Sequence, residues 1–389
     1  MGREIGVGLI GTGFMGECHG LAYAAVGGTF EPPVRPRPEM VADIGLAAAE
    51  RAATRFGFAR ATDDWRKLVT DPAVGLVAVA SPNALHREMA LAAIAAGKHV
   101  YCEKPLALNA ADAREMADAA ARAGVVTLCG YNYLRSPAMQ YAKRLIDDGV
   151  LGELTDVRFL FDEEYMADPA VPFSWRCRKA TAGTGALGDM GSHVLSLARY
   201  LAGPITEVMT EFRTVIAKRP MPAGDGSKEE RAGPVAVDWS RMAEVENEDI
   251  VHALLRFKNG AVGHFGSSRL AWGRRNGIDI ELYGSKGSIR FTQERFNEID
   301  LYLPDADRGS NGFRTILTGP EHPPYGRFSP AGGHGLGFND LKVAEVAHLM
   351  AAIAGEVEPY PDFAEGAAIE EVCDAMVESA ASGRWVKVP

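Results

Sequence analysis

The first third of the chain alternates short apolar runs with amphipathic stretches, and few folds accommodate that alternation. Apolar runs of strand length occupy residues 4–10, 39–45, 74–80, 98–102 and 125–130, and helical periodicity marks most of the stretches between them. Continuous apolar strands that alternate with helices predict a parallel sheet with both of its faces covered. In such sheets, ligands bind at the carboxyl ends of the strands. We therefore expect a doubly wound α/β domain with its ligand site along that edge.

A glycine-rich turn joins the first predicted strand to the first predicted helix. Gly11, Gly13 and Gly16 fill the pattern GxGxxG directly after the first apolar run. Glycines at these positions permit a tight turn and the close approach of a pyrophosphate to the helix N-terminus. A plain strand–helix turn is the alternative, but the position between a strand and a helix favours dinucleotide binding. Phe14 and Met15 belong to the same turn and are further predicted cofactor contacts.

An acidic residue after the second predicted strand bears on the choice of cofactor. In dinucleotide-binding folds, an acid about 20 residues past the glycines accepts hydrogen bonds from the adenosine ribose. Asp43 lies further along, and residues 27–38, rich in proline and glycine, predict an inserted loop. Because residues 44–46 hold no arginine for a 2′-phosphate, Asp43 predicts NAD as the preferred cofactor. NADP is the alternative cofactor if Arg35 or Arg37 of the predicted loop extends to the 2′-phosphate. The alternative for Asp43 is a solvated residue at the end of a strand.

Three polar motifs directly follow predicted strands and therefore belong to the expected ligand edge. They are SPN at residues 81–83, EKP at residues 103–105 and GYNYLR at residues 130–135. A parallel sheet collects such segments at one edge, so we expect them to contact the cofactor and the substrate. The predicted cofactor contacts are Ser81, Pro82, Asn83, His86, Glu103 and Lys104, and the predicted substrate contacts are Tyr131, Tyr133 and Arg135.

The pattern changes beyond about residue 136, where alternating apolar and polar residues predict a largely antiparallel sheet. An Asn-Gly pair at residues 259–260 separates two such runs and is a strong signal for a hairpin. We therefore expect a Rossmann-type dinucleotide-binding domain over residues 1–135. A substrate-binding and oligomerisation domain, of α/β class with a large open sheet, is expected over residues 136–389.

Three further segments complete the predicted organisation. Helices near residues 338–354 and 363–382 are expected to pack back onto the domains, and residues 219–234 read as a mobile, polar excursion. An open sheet face left in water is a pairing surface, and closed homo-oligomers are the default assembly. We therefore expect a homo-oligomer that pairs through the second domain.

An acid and a histidine stand four residues apart behind a glycine-rich approach, in GTGALGDMGSH at residues 183–193. Asp189 and His193 open an apolar run, so their spacing predicts that both lie on one face of a helix. Glycines let the backbone come close to a ligand. The two side chains are therefore a candidate catalytic pair. The alternative is a loop in which Asp189 caps the helix and His193 is a satisfied core residue.

Composition narrows the partners and the compartment. The net charge of −10 and the pI near 5.5 argue against nucleic acid or an anionic membrane as a main partner, but not against neutral sugars. Five cysteines without a CxxC pair fit reduced thiols, and no apolar run approaches the about 20 residues of a membrane span. The histidines form no pair at ligand spacing, so no metal is expected. Without a signal-peptide pattern, we expect a cytoplasmic protein.

Taken together, these motifs resemble the glucose-fructose oxidoreductase / inositol dehydrogenase / MocA (Gfo/Idh/MocA) family. The resemblance rests on GLIGTGFMG, SPNALH, HVYCEKPLAL and GALGDMGSH, in the family's order, and covers nearly the whole chain. It implies a nicotinamide-binding Rossmann domain joined to an α/β domain with an open sheet. The implied reaction is oxidation or reduction at a hydroxyl-bearing carbon of a sugar, a polyol or a related compound. The resemblance also favours a homodimer or a homotetramer.

The resemblance assigns roles residue by residue. The EKP lysine is Lys104, and the DxxxH pair is Asp189 and His193; in the family these three make the catalytic constellation. Asp189 and His193 also count as substrate contacts. The segment SWRCRK looks like the WR stretch of sugar-oxidising members, with a structural loop as the alternative. It adds the substrate contacts Trp175, Arg176 and Lys179.

These assignments predict an NAD-dependent dehydrogenase for a secondary hydroxyl of a sugar, an anhydrosugar, a glycoside or an inositol. His193 is the expected acid/base, Lys104 the alkoxide stabiliser and Asp189 the orienting group. A redox-neutral glycosidase that uses NAD, or a non-catalytic dinucleotide sensor, is the alternative. Two features depart from the family's pattern and bear on the substrate: Leu134 stands where many relatives have arginine, and an insertion is predicted at residues 27–38.

Overall fold

Contacts divide the chain into two compact units. The computed structural model describes residues 3–223 and 236–389. One unit comprises Met1–Ser136, Pro324–Pro330 and Leu336–Glu370, and the other comprises Pro137–Pro323, Ala331–Gly335 and Glu371–Pro389. The domain division predicted at residue 135 stays a prediction. No helix of the described residues is both long enough and apolar enough to span a membrane.

A parallel sheet forms the centre of the first unit. Its described strands are β1 (Arg3–Ile10), β2 (Val34–Ala42), β3 (Arg60–Thr62), β4 (Leu76–Val79), β5 (His99–Cys102) and β6 (Thr127–Cys129). They pair in the order β3-β2-β1-β4-β5-β6, and every pairing is parallel. The chain reverses its direction of travel across the sheet between β1 and β4, the point where doubly wound sheets bind their ligands. The predicted parallel sheet is confirmed.

The helices follow local signals in the sequence. In the described residues they are α1 (Phe14–Thr29), α2 (Leu46–Phe56), α3 (Trp65–Thr70), α4 (His86–Ala95), α5 (Ala110–Ala123), α6 (Pro137–Asp147), α7 (Lys179–Ala182), α8 (Ser192–Ala202), α9 (Phe338–Ala354) and α10 (Phe363–Ser382). The Asn109 side chain caps α5 by accepting a hydrogen bond from the Asp112 N–H at 2.9 Å. Gly124 ends the same helix in the left-handed conformation. The two late helices, α9 and α10, have the predicted bounds.

The prediction of an inserted loop at residues 27–38 is wrong. The end of α1 and the start of β2 occupy most of that stretch. Pro36 and Pro38 misled the prediction, because proline cannot donate a hydrogen bond within a central strand. In the described sheet, β3 pairs with β2 only over residues 40–42, so one side of β2 is unpaired where the prolines stand. The chain thus extends β2 instead of inserting a loop.

A second, larger sheet forms the centre of the other unit. Its described strands are β7 (Leu154–Asp162), β8 (Ile205–Arg213), β11 (Ile250–Phe257), β12 (Val262–Ser268), β13 (Gly277–Gly284), β14 (Ser288–Thr292), β15 (Glu298–Tyr302), β16 (Arg314–Leu317) and β17 (Val386–Lys387), and a separate ribbon comprises β9 (Lys218–Pro222) and β10 (Val237–Glu244). The larger sheet has the order β16-β15-β14-β13-β7-β12-β11-β8-β17. Among these described pairings only β7 with β12 is parallel. The predicted open, mostly antiparallel sheet is confirmed.

The predicted excursion at residues 219–234 needs a partial correction. Arg219 lies in β9, is fully buried and donates to the carbonyl oxygens of Asp168 at 3.0 Å and Val171 at 3.2 Å. This part of the segment is therefore anchored, because a buried guanidinium needs its hydrogen-bond partners. Residues 224–234 lie outside the described residues.

A buried charge network lies in the core of the first unit. Lys342 on α9 donates to Glu103 at 2.6 Å and to Glu345 at 2.9 Å, and these side chains are at most 4% exposed. His19 on α1 reaches the same oxygen of Glu103 at 2.8 Å. Burial opposes ionisation of Glu103, but the Lys342 ammonium and the His19 hydrogen bond outweigh it and lower the pKa of the carboxyl. Glu103 is therefore an ionised side chain paired in the interior.

We predict that Lys342→Met destabilises the protein by about 3–5 kcal/mol, the usual cost of breaking a buried ion pair from one side. The substitution leaves Glu103 and Glu345 in the core without their cation. Chemical denaturation measures the free energy of unfolding, and Lys67→Met, at an exposed lysine of α3, is the control. Equal stability of the two variants would contradict the prediction.

Candidate active site

The glycine-rich turn lies at the carboxyl end of β1, at the switch point of the parallel sheet. Gly11 has a φ of +96°, and a Cβ there would lie 2.5 Å from the carbonyl oxygen of Ala80. A Cβ at Gly16 would lie 2.1 Å from the carbonyl oxygen of Gly11, so only glycine lets α1 pack this closely on the turn. Gly13 precedes α1 in an extended conformation and has no side chain to cover the helix N-terminus. These features fit the binding of a dinucleotide pyrophosphate.

Asp43 lies beside this turn. Its Oδ2 accepts hydrogen bonds from the Thr12 N–H at 2.9 Å and from the Thr12 hydroxyl at 2.6 Å. One carboxylate oxygen therefore orients the turn. Arg35 and Arg37 pair with Glu4 and Gly6 in the first half of β1, and Arg37 lies six residues, about 20 Å of extended chain, before Asp43. Neither arginine lies beside Asp43, so the expectation that one of them could contact a 2′-phosphate on the ribose is wrong.

A buried histidine lies between the segments that follow β4 and β5. His86 Nδ1 lies 2.9 Å from the carbonyl oxygen of Pro105, and Nε2 lies 2.9 Å from that of Ser81. Burial lowers the pKa of His86. His86 and Glu103 are thus turned into the interior, and the structure does not present them for direct contact with a cofactor. Lys104, between Glu103 and Pro105, is partly exposed, as are Ser81 and Asn83, and Pro82 is exposed.

An aromatic group joins two of the predicted binding segments. Phe14, 42% exposed, stacks on Phe338 with 5.7 Å between ring centroids, and Tyr133 meets Phe338 edge-on at 5.9 Å. Met15, next to Phe14, is partly exposed. Phe338 opens α9, about 200 residues from Tyr133 in the chain, and sequence patterning does not connect them. The predicted substrate contacts of this unit are largely covered: Tyr133 is 6% exposed and Tyr131 is fully buried, while Arg135 is partly exposed and donates to the carbonyl oxygen of Tyr360.

In the second unit, Asp189 lies in a π-helical turn, Leu187–Gly191, that leads directly into α8. Such turns occur mostly as single interruptions of α-helices, often at functional sites. His193 follows in the first turn of α8; it is 6% exposed, and its ring lies 6.1 Å from that of Phe161 on β7. A Cβ at Gly191 would lie 2.9 Å from the Phe265 ring, so glycine lets the turn pack on the sheet.

A tyrosine that sequence patterning misses holds the Asp189 carboxylate. The Tyr165 hydroxyl donates to Asp189 Oδ2 at 2.6 Å, and Arg176 Nε lies 3.7 Å from the same oxygen. Burial and the Asp189 charge raise the pKa of Tyr165 well above its ordinary value, so the hydroxyl stays protonated and donates. The Arg176 guanidinium also lies over the Trp175 ring, 4.6 Å from its centroid. No regular spacing links Tyr165 to Asp189; its position just past a strand end is the only signal.

The predicted residues thus form two groups, one in each unit. In the first, Gly11, Gly13, Gly16, Asp43, Ser81 and Lys104 share the carboxyl edge of the parallel sheet; in the second, Asp189, His193, Trp175 and Arg176 lie near the end of β7. Lys179 is exposed, and its backbone N–H donates to Glu246 at 2.9 Å. Over residues 3–223 and 236–389, no three His, Cys, Asp or Glu side chains cluster as metal ligands would.

A parallel sheet in this strand order, with the glycine fingerprint at its switch point, defines a dinucleotide-binding Rossmann fold. The family description "oxidoreductase family, NAD-binding Rossmann fold" matches residues 5–131, and the Gfo/Idh/MocA C-terminal domain matches residues 139–290. The chain belongs to the Gfo/Idh/MocA family of NAD-binding oxidoreductases. The predicted family, fold class and NAD-binding oxidoreductase class are confirmed.

Individual relatives resemble the chain over its full length. Levoglucosan dehydrogenase of Pseudarthrobacter phenanthrenivorans is 40% identical over 389 residues, which are 100% of this chain and 99% of that protein. A structure of levoglucosan dehydrogenase in complex with NADH and levoglucosan has a TM-score of 0.92 and 39% identity, with 100% of both chains covered. Myo-inositol 2-dehydrogenase of Thermotoga maritima is 31% identical over 69% of this chain and 72% of its own.

We predict that Gly16→Ala weakens NADH binding about tenfold or more. The added Cβ would lie 2.1 Å from the carbonyl oxygen of Gly11, and overpacking of this kind costs about 1–3 kcal/mol. Fluorescence titration with NADH measures the Kd. Gly28→Ala is the control in the same helix, because a Cβ there meets no described atom within 4 Å. Equal Kd values for both variants would show that the turn tolerates the methyl group.

Proposed function

We propose that the protein is an NAD-dependent dehydrogenase that oxidises a secondary hydroxyl of a sugar, an anhydrosugar, a glycoside or an inositol to a ketone. The observation that carries the proposal is the Asp189–His193 pair in a π-interrupted helix, with the Asp189 carboxylate held by Tyr165. The full-length similarity to levoglucosan dehydrogenase supports this substrate class. Levoglucosan is therefore the first substrate to test.

The proposed roles follow from the charge that develops during alcohol oxidation. Bound NAD supplies the hydride acceptor. Loss of a hydride from the alcohol carbon becomes feasible only if the hydroxyl proton departs, so the site needs a base and a partner for the developing alkoxide. Imidazole titrates near neutral pH, and His193 is the proposed base. The Lys104 ammonium stabilises the alkoxide, and Asp189 orients the imidazole or the substrate.

Substrate recognition is proposed to rest mainly on the second unit. Because the Arg176 guanidinium covers one face of the Trp175 ring, the other face is the one proposed to stack on a sugar ring. Arg176 and Lys179 carry donors for the hydroxyl groups of the sugar. Tyr133 is the further proposed contact from the first unit. Because Tyr131 is fully buried and Arg135 is bonded to the Tyr360 carbonyl, we propose supporting roles for these two residues.

We predict that His193→Ala lowers kcat by about 10²–10⁴-fold, the usual loss for an acid/base group. NADH affinity should change little, because the proposed cofactor contacts belong to the other unit. Lys104→Ala should also reduce kcat strongly, since the alkoxide exists only as the transition state forms. The double variant should lose much less than the product of the single losses. Initial rates of NADH formation with levoglucosan, pyranoses and inositols measure these effects.

The same experiment separates the competing interpretations. A His193→Ala variant with normal turnover would end the catalytic role, and a lower Tm with normal turnover would show a structural histidine instead. Asp189→Asn should be milder than His193→Ala if the carboxylate only orients. Product formed without net NADH would indicate the redox-neutral glycosidase, and NADH binding without any turnover would indicate a dinucleotide sensor.

We further predict that kcat/KM with NAD exceeds that with NADP by at least about tenfold, which corresponds to 1.4 kcal/mol. Asp43 accepts a hydrogen bond from a ribose hydroxyl but repels a 2′-phosphate. Asp43→Ala should narrow the ratio. Thr12→Val, which removes one hydrogen bond to Asp43 but keeps its charge, is the control and should preserve the preference. A clear preference of the unmodified protein for NADP would contradict the assignment of Asp43.

The assembly is proposed to be a homodimer or a homotetramer that pairs through the large sheet of the second unit. The sheet has a cavity of about 480 Å³ on one face, lined by charged side chains of both signs. Arg158, Glu281 and Arg290 are among them, and side chains of opposite charge on one face suit pairing with a copy of itself.

A further inference from the structure

Four consecutive polar residues precede β11, Glu246, Asn247, Glu248 and Asp249, and we call them the ENED segment. Asn247, Glu248 and Asp249 are 2%, 5% and 0% exposed. Buried polar side chains are costly unless they are hydrogen-bonded. Their partners therefore indicate what the segment does.

Glu248 holds the approach to the π-helical turn. Its Oε1 accepts hydrogen bonds from the N–H groups of Gly185 at 2.8 Å and Leu187 at 2.9 Å, and its backbone carbonyl accepts from the Ala186 N–H at 3.0 Å. Three successive amides, which a helix start leaves without intrahelical partners, are thus satisfied by one residue. A Cβ at Gly185 would lie 2.0 Å from the Glu248 carbonyl oxygen. Asp189 lies two residues after Leu187, the last of these three amides.

The neighbouring side chains hold the other candidate segment. The Asn247 Nδ2 donates to the carbonyl oxygen of Arg176 at 2.8 Å, and Glu246 accepts from the Lys179 N–H at 2.9 Å. Behind them, the buried Arg269 donates to Asp249 at 2.9 Å and to Asn247 Oδ1 at 3.0 Å. One short segment is therefore bonded to both stretches that carry the proposed substrate-side residues.

We propose that Glu248 is a positioning residue that sets Asp189 and His193 through the Gly185 and Leu187 amides, while the rest of the ENED segment sets Arg176 and Lys179. The inference rests on the proposed function. A carboxylate that bonds two backbone amides outside the helix fixes the start of the π-turn without touching a substrate. Displacing such a turn by about 1 Å is enough to reduce turnover about 100-fold.

Two variants of Glu248 test whether its role depends on the length of the side chain, which brings an acceptor oxygen to the two amides. Glu248→Asp keeps a carboxyl group but withdraws it from the two amides, and Glu248→Gln keeps an acceptor oxygen at the original distance. We expect Glu248→Asp to lower kcat about 10- to 100-fold, with the NADH Kd unchanged within about twofold. Glu248→Gln should stay within about threefold of the unmodified protein. A merely structural role would lower Tm in both variants and leave kcat of the folded fraction unchanged.

Hydrogen–deuterium exchange provides a second readout that needs no substrate. Amides over residues 183–193 should exchange faster in Glu248→Asp than in the unmodified protein, and Glu248→Gln should retain their protection. Normal turnover in Glu248→Asp, or strong loss of kcat in a folded Glu248→Gln, would overturn the proposal. If the unmodified protein oxidises none of the sugars, the proposed function is wrong, and exchange alone decides the role of Glu248: equal exchange in all three proteins overturns it. If Glu248→Asp does not fold, Glu248→Gln decides by the same measurements.

Discussion

The buried ion pair between Lys342 and Glu103 is the interaction on which the first unit depends. Glu103 directly precedes Lys104, so the pairing anchors the backbone that carries the proposed alkoxide stabiliser. His86 adds a second anchor, because its buried ring lies between the carbonyl oxygens of Pro105 and Ser81 and its single N–H donates to one of them. A carboxylate this deep in the interior is tolerated only with its cation and hydrogen bonds in place. The site edge is therefore held from behind by buried polar groups.

In the second unit, different buried polar groups hold the candidate site residues in place. Tyr165 holds the Asp189 carboxylate from one side, and Glu248 holds the backbone that leads to it. Apolar packing is not directional, and it cannot by itself set the angle of a carboxylate or an imidazole. Buried hydrogen bonds can set that angle, because each bond tolerates only a narrow range of distance and angle. In each unit, candidate functional groups lie next to such bonds.

The limits of sequence interpretation follow from the same contacts. The periodicity of apolar residues and the spacing of glycines predict the parallel sheet, the dinucleotide-binding turn and the two late helices. Each of these features is encoded over a few adjacent residues. The proline-rich start of β2 misled the prediction, since the pairing of β3 decides whether a proline is tolerated there. The contact of Lys342 with Glu103 spans 239 residues. Pairs of this kind depend on the tertiary fold and leave no local pattern.

With Asp189 and Arg176 as the proposed substrate contacts, the charges of these two side chains also bear on the substrate class. Arg176 faces the Asp189 carboxylate at 3.7 Å, so the two charges partly offset each other. An anionic substrate would have to compete with Asp189 for that guanidinium, and Asp189 would repel it. A neutral sugar hydroxyl both donates and accepts hydrogen bonds, and can therefore donate to the carboxylate while accepting from an arginine. The pairing of an acceptor-only group with a donor-only group thus favours neutral polyols over phosphorylated or carboxylated ones.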